Sequence, residues 1–259
     1  MPRLAANLGH LFTERPLLER FGAAAVAGFK TVELQFPYEQ SAAAVRGELE
    51  RHGLAVLGIN TPLGPNAAPG LAGVPGRESE FDAMFAQALD YAVGIGAISI
   101  HCLSGQVPPE QQADGEKVFV ANVARAADLA GEKGIGILIE PINRRDRPNY
   151  LVHRPEQAAA IIARVGRPNV RMQFDFYHAQ IEGGDLMTRF ARHLSVIGHV
   201  QVAAVPSRAE PDEGEVNYPA IFDMLDGSNY SGFVGCEYKP RGRTEDGLGW
   251  AERYGIVAR

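Results

Sequence analysis

Apolar positions along the chain follow two periods that alternate. Short runs rich in Val, Ile, Leu and Phe read as strands, and the stretches between them carry apolar residues at helical spacing. The first strand is predicted over 4–8, with Asn7 near its end, and a helix over 15–27 with Leu17 and Phe21 on its apolar stripe. Strand two covers 31–34, carries Glu33 and runs on to Gln35, and Ser41 is placed to cap the next helix. Strand three, 54–59, ends at Asn60. The clearest helix follows, with Phe81, Met84, Phe85, Ala88, Leu89 and Ala92 on one face. Strand four, 97–103, contains His101, and a long helix spans 110–133. Strands five to eight are 136–139, 170–174, 196–200 and 233–236, separated by helices predicted over 155–165, 185–193 and 218–225; a last helix is expected around 246–253.

Strand followed by helix, repeated about eight times, implies a parallel sheet of the α/β class. Eight such units in 259 residues fit a closed (β/α)8 barrel, a TIM barrel, formed by the whole chain as one domain, 1–259. No Gly-x-Gly-x-x-Gly follows the first strand, which removes the main support for a dinucleotide-binding open sheet. Two segments break the rhythm. Residues 61–76 are rich in Pro, Gly and Ala and lack periodicity, and residues 203–216 form a second long loop. The first follows a strand end, so it could cover a site there.

The chemistry sits at those strand ends. The last four strands stop at Glu140, Asp175, Gln201 and Glu237, and the earlier ones at Asn7, Glu33 or Gln35, Asn60 and His101. One polar strand end reads as a helix cap or a solvated loop residue. The same event on consecutive strands reads as a shared site at the carboxyl face of a barrel. Three acids cannot converge without strong repulsion, so a cation is expected among them. Oxygen donors suit Mg or Mn better than thiolate-preferring metals. Glu140 and Glu237 could flank bound carbons as base and acid. His178, three residues after Asp175, is a candidate to bind a substrate oxygen. Arg208 is a candidate for an anion, and Lys239, two residues past Glu237, should share its side if the strand continues.

Composition narrows the partners. A net charge of −6 without a basic cluster argues against nucleic acid, and no apolar run reaches the roughly 20 residues of a membrane span. Cys102 and Cys236 lie inside predicted strands and read as reduced, buried thiols of a cytoplasmic protein. A homo-oligomer stays open.

Several segments together carry a family resemblance: Glu33-Leu34-Gln35-Phe36-Pro37-Tyr38, Pro75-Gly76-Arg77-Glu78, Ile139-Glu140-Pro141-Ile142-Asn143, Gln173-Phe174-Asp175-Phe176-Tyr177-His178, Gly198-His199-Val200-Gln201-Val202-Ala203, Gly214-Glu215-Val216-Asn217-Tyr218 and Gly235-Cys236-Glu237-Tyr238-Lys239-Pro240. Over nearly its whole length the chain resembles the hydroxypyruvate isomerase family of xylose isomerase-like TIM barrels. The resemblance implies that Glu140, Asp175, Gln201 and Glu237 hold a divalent metal ion, and that Glu140 and Glu237 transfer the proton. It implies a small hydroxy-oxo acid substrate isomerised through an enediolate; His178, Arg208, Lys239 and His101 are the candidates, read from the strand ends and their loops, to bind it. The family often reads Ala-Asp-Asn-Pro after the strand-seven Gln, whereas here Ala203-Ala204-Val205-Pro206 is followed by Glu210-Pro211-Asp212-Glu213-Gly214-Glu215. That variant looks closer to the 2-oxo-tetronate isomerase branch, leaving a three-carbon and a four-carbon substrate both open. Three rivals remain on the same scaffold: a ketose 3-epimerase, which usually carries His where Gln201 stands; an endonuclease-IV-like repair enzyme, which needs several zinc ions and a basic face; and a non-catalytic sugar-binding barrel.

Overall fold

Residues 1–257 are described in a computed structural model. Nine short strands, all parallel, line up in the order β3-β2-β1-β9-β8-β7-β6-β5-β4. They are β1 (Arg3–Asn7), β2 (Thr31–Glu33), β3 (Ala55–Val56), β4 (Gly58–Asn60), β5 (Ser99–His101), β6 (Gly136–Ile139), β7 (Val170–Asp175), β8 (Ile197–Val202) and β9 (Phe233–Cys236). The two ends of that order are neighbours in the chain, separated by Leu57 alone. Leu57 donates its N–H to Val32 (2.8 Å), and its carbonyl accepts from the Ile98 N–H (3.1 Å) and the Ser99 hydroxyl (3.0 Å). β3 and β4 are therefore two halves of one barrel strand that exchanges its partner β2 for β5, and the ring closes through Leu57. The predicted strand 54–59 is corrected in this one respect.

The helices are α1 (Leu17–Val26), α2 (Ala42–His52), α3 (Glu78–Ile95), α4 (Gln112–Gly131), α5 (Pro155–Val165), α6 (Phe176–Ile181), α7 (Leu186–His193) and α8 (Tyr218–Gly227). Ser41 caps α2 by accepting from the Ala44 N–H (3.2 Å). Phe81, Phe85, Ala88, Leu89 and Ala92 are the buried face of α3, as their spacing predicts, with Met84 half-buried beside them. The apolar core lies between strands and helices. Phe174, pointing outward from β7, packs at 5.0 Å from Phe176 and 5.8 Å from Phe190. The C-terminal segment Glu245–Tyr254 is a 3-10 helix rather than an α-helix. Gly247 and Gly249 weaken the α form, and Gly247 packs directly on the buried Glu210 carboxylate.

Because alternate strand residues face opposite ways, the ring has two different surfaces. Ile137 and Ile139 of β6, Met172 and Phe174 of β7, and Val200 and Val202 of β8 join the outer core. Their neighbours Gln173, Asp175, His199 and Gln201 turn toward the axis, where Gln173, His199 and Gln201 bond to one another or to side chains across the ring. Interiors of such barrels are usually filled by Val, Ile and Leu; here amides, carboxylates and histidines share the interior with Leu57 and Leu138.

The long loop after β4 is only partly free to cover anything. Its second half lies along the chain after β5: Ala72 donates to Leu103 O (3.3 Å), Gly73 to Ser104 O (2.8 Å), and the buried Asn122 amide of α4 donates to Ala72 O (2.8 Å). Gly70 adopts φ +91°, and a Cβ there would lie 2.2 Å from the Leu103 carbonyl oxygen. Of this loop, Leu63, Ala67 and Pro69 line the space at the barrel mouth. Gly70→Ala combines the left-handed conformation with that backbone clash. It is expected to lower stability by about 1–3 kcal/mol, the usual cost of backbone strain, read as a lower urea midpoint. An unchanged midpoint would show that the loop is not clamped at Gly70.

Candidate active site

A cavity of about 340 Å³ opens at the carboxyl ends of the strands, within the range of ordinary ligand sites. Three open surface grooves are larger, about 410, 520 and 640 Å³, but none is lined by a strand's carboxyl end. Glu140, His101, His178, Arg208, Glu237 and Lys239 line the 340 Å³ cavity. Beneath it lies a small polar space of about 20 Å³ bounded by Glu33, Gln173, His199 and Gln201 among others.

The buried acids are treated unequally. Glu237 accepts from four groups. Its Oε1 lies 2.7 Å from Arg208 Nη2, 3.2 Å from Gln35 Nε2 and 3.5 Å from His10 Nε2, and its Oε2 lies 3.1 Å from Asn7 Nδ2. Glu140 accepts from Gln173 Nε2 through Oε2 (2.9 Å), while its Oε1 has no partner. Asp175 caps α6 through Oδ1, which accepts from the Tyr177 N–H at 2.8 Å, while Oδ2 has no partner. Protonation follows from these surroundings. Burial, then the charges of Glu237 and Asp175, holds Glu140 well above the usual carboxylate range. Burial and the Glu237 charge push Asp175 up to about 7. Burial also raises Glu237, but the His10 hydrogen bond and the charges of His10 and Arg208 outweigh it and bring this carboxyl down to about 2.

Glu140, Asp175 and His178 each bring one ligand atom within 4.8 Å of the others. Two unpartnered, buried carboxylate oxygens side by side are what a cation would satisfy, so the donor set fits a hard divalent ion. His178 stands differently from the two acids. Its Nδ1 is 2.6 Å from Asn143 Nδ2. The Asn143 amide is oriented by Asp146, whose N–H it accepts (2.8 Å) and to whose carboxylate it donates (3.1 Å). Nδ1 of His178 therefore accepts, and the proton is assigned to Nε2, 3.7 Å from Glu140 Oε1 and 3.6 Å from Asp175 Oδ2. In that tautomer His178 is a hydrogen-bond donor into the cavity, not a lone-pair ligand. Burial lowers His178 to about 3 and His101 to about 4, so both rings are neutral near pH 7. His101 sits 3.4 Å from Glu140 Oε2, with neither ring nitrogen hydrogen-bonded.

The other candidates fall into place as follows. Gln201 points to the axis but lies deeper than the three-residue group: Oε1 accepts from Gln173 (2.8 Å) and Nε2 donates to Glu33 (3.0 Å). Arg208, at φ +60°, lies over the Tyr177 ring at 5.0 Å and pairs with Glu237. Lys239 does not continue a strand. β9 stops at Cys236, Glu237 N turns back to Gly235 O (3.1 Å), and Lys239 N donates to Arg208 O (2.7 Å). Its side chain is exposed, yet it still borders the cavity. Gln173, His199, His10 and Asn143 escaped the sequence reading. The signal for the first two was present, a polar residue two positions before Asp175 and before Gln201.

A family model described as xylose isomerase-like TIM barrel matches residues 21–254. A 2-oxo-tetronate isomerase of Cupriavidus necator is 45% identical over 257 residues, 98% of this chain and 99% of that protein. A hydroxypyruvate isomerase of Escherichia coli is 39% identical over 257 residues, 98% of this chain and 100% of that protein. Among solved structures, an AP endonuclease, family 2, from Brucella melitensis superposes with a TM-score of 0.96 at 43% identity, covering 98% of this chain and 100% of that one.

The raised carboxyls give the site a pH signature. Glu140 and Asp175 hold protons more tightly folded than unfolded. In metal-free protein their contribution to stability therefore falls as pH rises from the ordinary carboxylate range through about 7. A divalent cation replaces those protons, so its stabilising effect grows over the same interval. Mg²⁺ or Mn²⁺ is expected to raise Tm clearly at pH 8 and little at pH 5 in a thermal melt. An equal rise at both would place the cation elsewhere.

Proposed function

Because the chain belongs to the xylose isomerase-like TIM barrel family, we propose that it is an isomerase of short hydroxy-oxo acids. It would move the carbonyl between adjacent carbons of 2-oxo-tetronate, giving 3-oxo-tetronate, or of hydroxypyruvate, giving tartronate semialdehyde. The observation that carries this reading is the pair Glu140 and Glu237 facing one cavity, in a chain whose relatives at 39–46% identity over nearly full length are named isomerases of such acids.

The reaction needs a proton taken from the hydroxyl-bearing carbon and one returned to its neighbour, through an enediolate, while the hydroxyl proton passes to the former carbonyl oxygen. We assign that exchange to Glu140 and Glu237, which face the same cavity. A divalent cation, Mg²⁺ or Mn²⁺, held by oxygens of Glu140, Asp175, Gln201 and Glu237 would supply Lewis acidity toward the substrate's carbonyl and hydroxyl oxygens. His178 Nε2 and His101 donate hydrogen bonds to substrate oxygens. Arg208 offers its guanidinium to the substrate carboxylate, with Lys239 at the rim. The apolar rim of Phe36 and Leu63 narrows access from solvent. The endonuclease reading suggested by the name of the Brucella protein is disfavoured by the net charge of −6. Carbohydrate 3-epimerases of similar fold are about 19–22% identical, which speaks to the fold alone. No helix among the described residues is long and apolar enough to cross a membrane, and both cysteines are free and buried; we assign a cytoplasmic location.

Purified protein assayed by NMR with hydroxypyruvate and with 2-oxo-tetronate, with and without a chelator, tests the assignment directly. Turnover of neither would refute it. Glu140→Gln and Glu237→Gln should each cut turnover by roughly 10²-fold or more, with metal content measured alongside. Near-normal turnover in a metal-loaded variant would remove that residue from proton transfer. Arg208→Lys keeps the charge and loses the two-pronged contact, and losing such a buried charged bond costs about 2–5 kcal/mol. The loss should fall on the oxo acid and spare the weak turnover of the matching uncharged sugar. Equal losses on both would make Arg208 a support for its loop.

A further inference from the structure

A glutamine can serve a hard cation with only one end of its amide. Gln201 has no intrinsic preference for which end faces the axis, so something else must choose. The side chain that touches its nitrogen end is Glu33 of β2, which is buried and crosses the ring interior to reach β8. Three donors converge on Glu33. Gln201 Nε2 (3.0 Å) and Asn7 Nδ2 (3.1 Å) reach Oε1, and His199 Nε2 reaches Oε2 (2.6 Å). Facing a carboxylate, His199 Nε2 is the protonated nitrogen. Glu33 is thus an acceptor with both oxygens engaged, and it admits only the NH₂ end of Gln201.

The opposite end is fixed just as firmly. Gln173 Nε2 donates to Gln201 Oε1 (2.8 Å) and to Glu140 Oε2 (2.9 Å). Both partners are acceptors, so the Gln173 amide cannot be reversed either. Donor and acceptor roles then run without conflict from His199 through Glu33, Gln201 and Gln173 to Glu140, with Asn7 joining Glu33 to Glu237. The backbone makes room for this chain. Gly235 of β9 pairs with Gln201 in register, and a Cβ at Gly235 would lie 2.3 Å from Glu33 Oε1 and 2.9 Å from Gln201 Cγ.

We propose that Glu33, seated on His199, is a positioning residue that orients the Gln201 amide so that its oxygen, not its nitrogen, is available to a divalent cation. The proposal rests on the reading of Gln201 as a cation ligand given above. Partners of this kind, one bond removed from the ion, typically govern 10–100-fold in metal affinity.

The test uses the full chain and Mn²⁺ alone, titrated calorimetrically without substrate. Glu33→Gln is nearly isosteric but can turn its own NH₂ toward Gln201 and release the amide. It should weaken Mn²⁺ by about 10–100-fold with circular dichroism unchanged. The decisive variant is the exchange Glu33→Gln with Gln201→Glu. A carboxylate at 201 has oxygen at both ends, and the new amide at 33 can donate to it, so Mn²⁺ affinity should recover above that of Glu33→Gln alone. Because a carboxylate at 201 also adds charge for the ion, the exchange is compared with Gln201→Glu alone, in which that carboxylate faces Glu33 as a like charge; tighter Mn²⁺ binding by the exchange than by either single variant separates orientation from mere support of the barrel floor. Should Glu33→Gln not fold, Gly235→Ala crowds the same bond and carries the same expected loss. Mn²⁺ binding by Glu33→Gln equal to the unsubstituted chain, or an exchange variant that does not exceed both single variants, overturns the proposal. Failure of the unsubstituted chain to bind Mn²⁺ at all is a distinct outcome, which removes the cation reading and this inference with it.

Discussion

Four carboxylates, Glu33, Glu140, Asp175 and Glu237, are buried within one ring of strands. Removing ionised groups from water is costly unless each finds donors, and the other features of the interior follow from that constraint. Hydrogen bonds to a charged group contribute about 1.5–3 kcal/mol each, and the donors are concentrated on two of the four acids. Glu33 and Glu237 are surrounded by His199, Gln201, Asn7, Gln35 and Arg208. Glu140 and Asp175 each keep a bare oxygen. The imbalance separates two acids saturated with donors from two that each have an oxygen to spare, although all four are the same residue types in one ring of strands.

The loops serve that division. Asp146 orients Asn143, which sets the His178 ring. The loop after β8 is bound to the segment after β9 by Arg241, which meets Glu210 (3.0 Å), Asp212 (2.9 Å) and Glu213 (2.8 Å), and by the Lys239 N–H on Arg208 O. Arg208 is thereby delivered to Glu237 from a backbone conformation that a non-glycine residue seldom adopts. Exposed ion pairs contribute little singly; here one side of the cluster, Glu210, is fully buried, so the cluster holds the loop in place rather than decorating it.

Much of this was legible in the chain. An acid or amide that ends an apolar run is conspicuous, and Glu140, Asp175, Gln201 and Glu237 all prove to face the ring interior. The layer below them was hidden for a physical reason. Gln173 and His199 lie inside runs that read as continuous strand, and only closure of the ring shows that every second residue faces an enclosed axis instead of a core. Closure itself was obscured in 54–59, where an unbroken apolar run conceals the exchange of partners at Leu57. Lys239 was expected by extending β9, but the chain turns at Glu237, a backbone event that side-chain periodicity does not record.

The capping bond from Asp175 to α6 has a further consequence, for denticity. With Oδ1 committed to the Tyr177 N–H, Asp175 has a single oxygen to give. Glu140 is in a similar position, its Oε2 accepting from Gln173, and Gln201 has a single oxygen, which accepts from the same Gln173 amide and keeps one lone pair free. Of the four proposed ligands, Glu140, Asp175 and Gln201 would each give a cation one oxygen, with neither of these two carboxylates closing on it with both arms. Ca²⁺ favours six to eight oxygens and readily takes carboxylates in bidentate fashion, whereas Mg²⁺ takes six at short distances. On the proposed ligand set, the helix cap would favour the smaller ion through a hydrogen bond made away from it.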